Sequence, residues 1–148
     1  MVVHTKSEEE TLEYARELGR NAHRGQIYCL DGDLGAGKTT FTKGFSEGLG
    51  VESNIDSPTF NILKIHDVKK QSSNINKLYH FDVYRIEDVR EMEEVGYEDY
   101  FYGDGVTVVE WAEMIRDIIP QNAIWIYISK SLENDNYRTI EMRDTSKS

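Results

Sequence analysis

The sequence predicts an α/β layered domain whose central sheet mixes parallel and antiparallel strands and is flanked by helices. Three observations point to it. An apolar run of strand length at 26–30 leads through a glycine-rich segment into an amphipathic helix. A β-branched run at 106–109 stands alone between polar stretches, as a buried central strand does. Two further strand pairs, at 61–84 and 124–142, are joined by short polar links and form antiparallel hairpins. The 148 residues suffice for one domain, 1–148, and are too few for two ordinary ones. Hydrophobic residues make up 39%, enough to bury a core.

Taken in order, the first helix is signalled by Ser7 and Glu10, a capping box with three acids in the opening turn. Leu12, Ala15 and Leu18, with Tyr14, form its apolar stripe until Gly19, giving a helix over 8–21. The strand 26–30 follows, then the segment 31–40. Phe41, Phe45 and Leu49 recur at helical spacing, with Gly50 as the stop. Ser57-Pro58-Thr59 interrupts regular structure, residues 61–68 alternate, 69–74 are a polar turn, and 78–84 are the second strand. Residues 87–95 are acidic and helix-compatible, ending at Gly96. After the central strand comes a short helix, 112–118, closed by Pro120. Strands at 124–128 and 137–142 turn around Asn134-Asp135-Asn136, and 144–148 are expected to fray.

Charge and cysteine content narrow the function classes. With 17 Lys+Arg against 27 Asp+Glu the net charge is -10, which repels phosphate backbones and argues against unaided binding of nucleic acid. One cysteine allows neither a disulfide framework nor a cysteine-based zinc cluster; Cys29, in mid-strand, suits the core. His4, His23, His66 and His80 lack metal-ligand spacing. No apolar run approaches the roughly 18 residues of a membrane span, and the first residues lack a signal peptide's apolar stretch. These features lead us to expect a cytoplasmic protein with no membrane partner.

The chemistry lies in Gly32-x-x-x-x-Gly37-Lys38-Thr39, a Walker A pattern between a strand and a helix. Glycines let backbone N–H groups approach phosphate oxygens without a Cβ in the way, and the helix start presents its positive dipole end to them. The expected nucleotide-binding stretch is Asp33, Leu34, Gly35, Ala36, Gly37, Lys38, Thr39 and Thr40. Lys38 reaches the β and γ oxygens of ATP, and the Thr39 hydroxyl suits Mg²⁺. Such a site needs a second carboxylate at the end of a neighbouring strand. Glu110 ends the buried run 106–109 and fits best, since ligands gather beyond the carboxyl ends of parallel strands. Asp82 is the other candidate; pattern alone leaves it open between the site and a solvated strand face. Trp111, by pattern alone, is better explained as a core anchor.

The ordered set Gly32 to Phe41, Ser57-Pro58-Thr59-Phe60, His80-Phe81-Asp82-Val83-Tyr84-Arg85 and Val109-Glu110-Trp111 resembles the bacterial TsaE family, small ATPases of tRNA threonylcarbamoyladenosine synthesis. The resemblance runs over 7–142. It implies slow hydrolysis of ATP with Mg²⁺, beside the TsaD and TsaB proteins that modify adenosine 37 of tRNAs decoding ANN codons. It implies P-loop roles for Gly35, Gly37, Lys38, Thr39 and Thr40, Mg²⁺ ligation by Thr39 and Glu110, switch-like segments at Ser57-Pro58-Thr59 and around Asp82, and a functional Trp111. Thr40 and Asp82 would position the γ-phosphate and the attacking water. The tRNA would be met only indirectly, through the complex, as the net charge also argues. Many members carry a further C-terminal helix, and its contacts are not carried over.

Two other functions would use the same motif. A small-molecule kinase would add an arginine-bearing lid, but the eight arginines are scattered through the chain. A nucleotide-gated protein-binding module with incidental hydrolysis would use the same pocket, and pattern does not separate it from the ATPase. His80 shares a strand face with Asp82 without that making a catalytic pair, and Arg138 has no local feature to set it apart from a surface arginine.

Overall fold

Ser7 caps the first helix, and Glu10 reaches back past it to the preceding residue, so the expected capping box is closed on Lys6 and not on Ser7 itself. The Ser7 hydroxyl accepts the Glu10 N–H at 3.1 Å, and the Glu10 carboxylate takes the Lys6 N–H at 3.2 Å. The helix, α1 (Glu8–Arg20), ends at Asn21. The computed structural model describes residues 1–33, 35–52, 55, 62–69 and 74–144. Seven strands form one sheet: β1 (Val2–Thr5), β2 (Ile27–Gly32), β3 (Leu63–Asp67), β4 (Lys77–Asp82), β5 (Val106–Glu110), β6 (Ile124–Lys130) and β7 (Arg138–Asp144). Their order is β1-β7-β6-β2-β5-β4-β3.

The four middle strands, β6, β2, β5 and β4, are parallel, and antiparallel partners close both edges. This mixed sheet, with helices on both faces, is the architecture expected. The central strand β5 is buried at all five positions, which is why it lacks the alternation of a half-solvated strand. Leu78, Val106, Val108, Leu30 and Ile126 pack with Phe41 and Phe45 of α2 (Lys38–Leu49) in one core. On the other face Cys29, Phe81, Val109 and Trp125 pack with Met92 of α3 (Arg90–Val95), Phe101 of α4 (Tyr97–Phe101) and Ile115 of the 3-10 helix Ala112–Ile118. Cys29 is fully buried there, as its position in mid-strand predicts.

Several boundaries differ from expectation. β1 went unforeseen because four residues carry no usable period; its partner is β7, with Val3 opposite Ile140. The acidic helix begins at Arg90 rather than at 87, and Gly96, in a left-handed conformation, separates it from the unforeseen α4. β4 stops at Asp82 instead of continuing to 84. The expected fraying from 144 does not include Asp144, which pairs with Ile124 in β7; 145–148 lie outside the described residues, as does 70–73 of the polar turn. Among the described residues no helix is long and apolar enough to cross a membrane.

Helices α1 and α2 approach closely because glycines line their contact. A Cβ on Gly48 would stand 2.7 Å from the carbonyl carbon of Arg16 and 2.9 Å from its Cα. This contact seats α2, and with it the loop at its start. We predict that Gly48→Ala destabilises the protein by about 2 kcal/mol, because overpacking against rigid backbone outweighs a helix-propensity gain of about 1 kcal/mol. Urea unfolding checks this; an unchanged or raised midpoint would contradict the close packing.

Candidate active site

The glycine-rich segment links β2 to α2, and its backbone takes conformations that other residues resist. Gly35 has φ 77° and Gly37, just before the helix, φ 104°; both lie in the left-handed region that costs an L-residue about 1 kcal/mol or more. Lys38 follows at once and is 5% exposed. Its ammonium donates to the carbonyls of Gly32 at 2.9 Å and Asp33 at 2.8 Å and lies 3.8 Å from the centre of the Trp111 ring. Burial pushes the Lys38 pKa down, while Asp31, Glu110, Asp33 and Asp82 act in the opposite sense.

Thr39 and Glu110 meet across the sheet. The Thr39 hydroxyl donates to Glu110 Oε1 at 3.2 Å. Glu110 itself is 1% exposed, and its second oxygen, Oε2, is 2.5 Å from His80 Nε2. A carboxylate only accepts, so the proton on this bond belongs to Nε2. The other ring nitrogen, Nδ1, is buried with no hydrogen-bond partner among the described residues. Asp82 lies directly opposite Glu110 in the parallel β4–β5 ladder, so both carboxylates stand at adjacent strand ends. Partial burial raises the Asp82 pKa, the Tyr84 N–H lowers it, and Glu110 raises it again. That N–H reaches Asp82 Oδ1 at 3.1 Å.

Trp111 takes its place through a strained turn. It is the one non-glycine residue with positive φ (64°) among those described, a cost of roughly 1–3 kcal/mol that the surroundings must offset. Two bonds from β2 hold the turn: the Trp111 N–H donates to the Leu30 carbonyl at 2.9 Å, and the Glu113 N–H donates to Asp31 Oδ2 at 2.7 Å. The indole thus lies over Lys38, with the Tyr84 ring 4.7 Å away.

The expected residues Gly35, Ala36, Gly37, Lys38, Thr39, Glu110, Asp82 and Trp111 therefore gather at one end of β2, β5 and β4. Thr40 is half-buried in the first turn of α2 and makes no side-chain hydrogen bond to another described residue. Asp33 contributes its carbonyl, to Lys38 and to the Ala36 N–H at 3.0 Å, and its side chain is exposed. Leu34 and Ser57-Pro58-Thr59 lie outside the described residues. Sequence reasoning missed His80 as the partner of Glu110, although its place two residues before Asp82 on one strand face was the available signal. It also missed Asp31, which caps the turn carrying Trp111. Arg138, indistinct in sequence, donates from Nε to the Ala36 carbonyl at 2.8 Å.

The donor set suits Mg²⁺ better than a transition metal. Its oxygens are hard, and no cluster of three His, Cys, Asp or Glu able to hold a metal occurs among the described residues. A site with one or two protein oxygens, completed by phosphates and water, is typical of Mg²⁺.

A parallel-centred sheet, a left-handed glycine loop opening a helix, and a lysine–threonine pair facing a strand-end carboxylate define a P-loop NTPase-like α/β protein. Comparison with known proteins narrows this. Residues 5–140 match the family model described as threonylcarbamoyl adenosine biosynthesis protein TsaE. The tRNA threonylcarbamoyladenosine biosynthesis protein TsaE of Bacillus subtilis (strain 168) is 44% identical over 131 residues, covering 88% of this chain and 78% of the relative. The protein of the same name from Haemophilus influenzae is 38% identical over 125 residues, covering 84% and 74%. A crystal structure of Bacillus subtilis YdiB superposes with a TM-score of 0.77 at 36% identity, covering 98% of this chain and 85% of that one. The chain belongs to the TsaE family.

Two outcomes follow for the buried polar pair and its neighbour. We predict that His80→Leu, which strips a buried carboxylate oxygen of its donor, costs about 3 kcal/mol, and that adding Glu110→Gln recovers part of the loss. Denaturant unfolding without nucleotide or Mg²⁺ reads this directly; wild-type stability in His80→Leu would refute the coupling. For Asp82, a folded pKa above the unfolded value means that ionisation opposes folding. Its favourable contribution is present below the unfolded pKa and is lost as pH rises through the folded one. Asp82→Asn should therefore be more stable than wild type at pH 7, with the gain shrinking as pH falls toward 4. A gain that grows on acidification would reverse the assignment.

Proposed function

We propose that this protein is a Mg²⁺-dependent, slow P-loop ATPase that supports threonylcarbamoyl modification of adenosine 37 in tRNAs decoding ANN codons. It acts with the TsaD–TsaB complex, and its hydrolysis readies that complex for another turnover. The observation that carries the reading is the Thr39–Glu110 hydrogen bond, 3.2 Å across the β2–β5 junction, next to a buried Lys38. Membership of the TsaE family supports the pathway. The net charge of -10 supports a protein partner, rather than direct contact, as the route to tRNA.

In this reading the loop amides and Lys38 bind the phosphates, and Lys38 leaves its two carbonyl acceptors for phosphate oxygens. Thr39 and Glu110 hold the metal, which when bound neutralises charge on the phosphate chain. His80 fixes the Glu110 carboxylate. Asp82, at the adjacent strand end, accepts a hydrogen bond from the attacking water and orients it, with Thr40 close to the γ-phosphate. Trp111 covers Lys38 and limits its access to solvent.

Calorimetry and phosphate-release assays test the proposal. Wild type should bind Mg-ATP and hydrolyse it faster with TsaD–TsaB than alone. Lys38→Ala should weaken binding at least about 100-fold, the scale of losing a charged hydrogen-bonding group. Undiminished hydrolysis by folded Lys38→Ala would overturn the proposal.

A further inference from the structure

We infer that Lys130 is a nucleoside-side contact of the nucleotide site, reaching the ribose and α-phosphate end of a bound nucleoside polyphosphate. This rests on the ATP-binding reading above and adds the direction in which the nucleotide lies.

Strand β2, which delivers the loop, has β5 on one side and β6 on the other. Glu110, Asp82 and Trp111 all belong to the β5–β4 flank. In a P-loop the lysine reaches the β and γ oxygens and the adjacent hydroxyl goes to the metal, so the metal-bearing end of the nucleotide faces that flank. The phosphate chain then runs toward β6 and β7, and its α-phosphate and ribose come to lie there. That end carries negative charge that a metal bridging the β and γ oxygens does not neutralise, so a protein cation there is chemically called for.

The β6–β7 ladder supplies two, because Lys130 pairs with Arg138. Arg138 acts as a positioning residue. It donates to the Ala36 carbonyl at 2.8 Å, to its own hairpin at the Tyr137 carbonyl at 2.9 Å, and to the Asp135 carbonyl. These bonds tie the hairpin to the loop. Lys130 keeps its ammonium uncommitted, with no hydrogen-bond or ion-pair partner among the described residues. That ammonium lies 3.4 Å from where a Cβ on Gly35 would stand, beside the loop. In a chain with 27 acidic residues to 17 basic ones, this cation faces loop backbone instead of a carboxylate.

Binding of Mg-ATP, Mg-ADP and Mg-pyrophosphate by wild type and Lys130→Met distinguishes the possibilities, with unfolding midpoints confirming that the variant is folded. Pyrophosphate fills the β and γ positions and lacks both the α-phosphate and the nucleoside. The expected result is a loss of about tenfold for ATP and ADP, the scale of one charge-assisted contact, with pyrophosphate binding unchanged. An equal loss for all three ligands would make Lys130 a general field effect, and no loss for any would remove it from the site; either overturns the inference while leaving ATP binding intact. A wild-type protein that binds none of the three overturns the ATP reading itself, and this inference with it.

Discussion

A carboxylate with 1% exposure at the end of a fully buried strand is the constraint around which this molecule is arranged. An unpartnered charge in such a place would cost several kcal/mol. Glu110 is tolerated because each oxygen has a donor from a different element: Thr39 of α2 at 3.2 Å and His80 of β4 at 2.5 Å. Those donors arrive only if β4 and β5 pair in parallel with Asp82 opposite Glu110, and only if α2 starts where the glycine loop ends. Strand register, loop conformation and helix position are thus linked through one side chain. The same side chain faces the phosphates in the proposed activity, so its satisfaction in the fold and its availability to a metal are related properties.

The surroundings hold this arrangement from behind. The glycine-lined contact of α1 with α2 seats the helix at a spacing that a single methyl group would violate. On the opposite side of the sheet, Asp31 receives the Glu113 N–H and so steadies the left-handed Trp111. Backbone strain of this kind persists where neighbours over-determine it. Here the two bonds from β2 do so, and the result is an indole laid against the Lys38 ammonium. The aromatic face lowers the cost of burying that cation, which burial alone would push toward neutrality.

Much of this was legible in the sequence because it depends on local chemistry. The glycine spacing around Lys38, the uninterrupted β-branched run before Glu110 and the capping box at Ser7 each act within a few residues. Asp82 was only half legible: a strand aspartate acquires meaning from the ladder that sets it beside Glu110, and no local pattern encodes that pairing. His80, Asp31 and Arg138 were harder still, since their partners are 30, 82 and 102 residues away. β1 is the same problem for the backbone. Four residues become a strand only because the far end of the chain offers an edge to pair with.

Charge ties the local site to the whole molecule. A surface at net -10 opposes the approach of any polyanion, ATP included, and the opposition is screened beyond a Debye length of about 8 Å at physiological ionic strength. What matters within that distance is the local balance, and the two flanks of the loop differ. The β5–β4 side presents Glu110 and Asp82, which repel bare phosphate and become favourable only with a divalent cation between. The β6–β7 side presents Lys130 and Arg138, and Lys38 stands in the middle. In the proposed activity an anion without a metal would be drawn to one flank and repelled by the other, whereas a metal-bound nucleotide would suit both. In the proposed activity it is these two strand-end carboxylates, and not the distant acidic surface, that would make a metal a condition of phosphate binding.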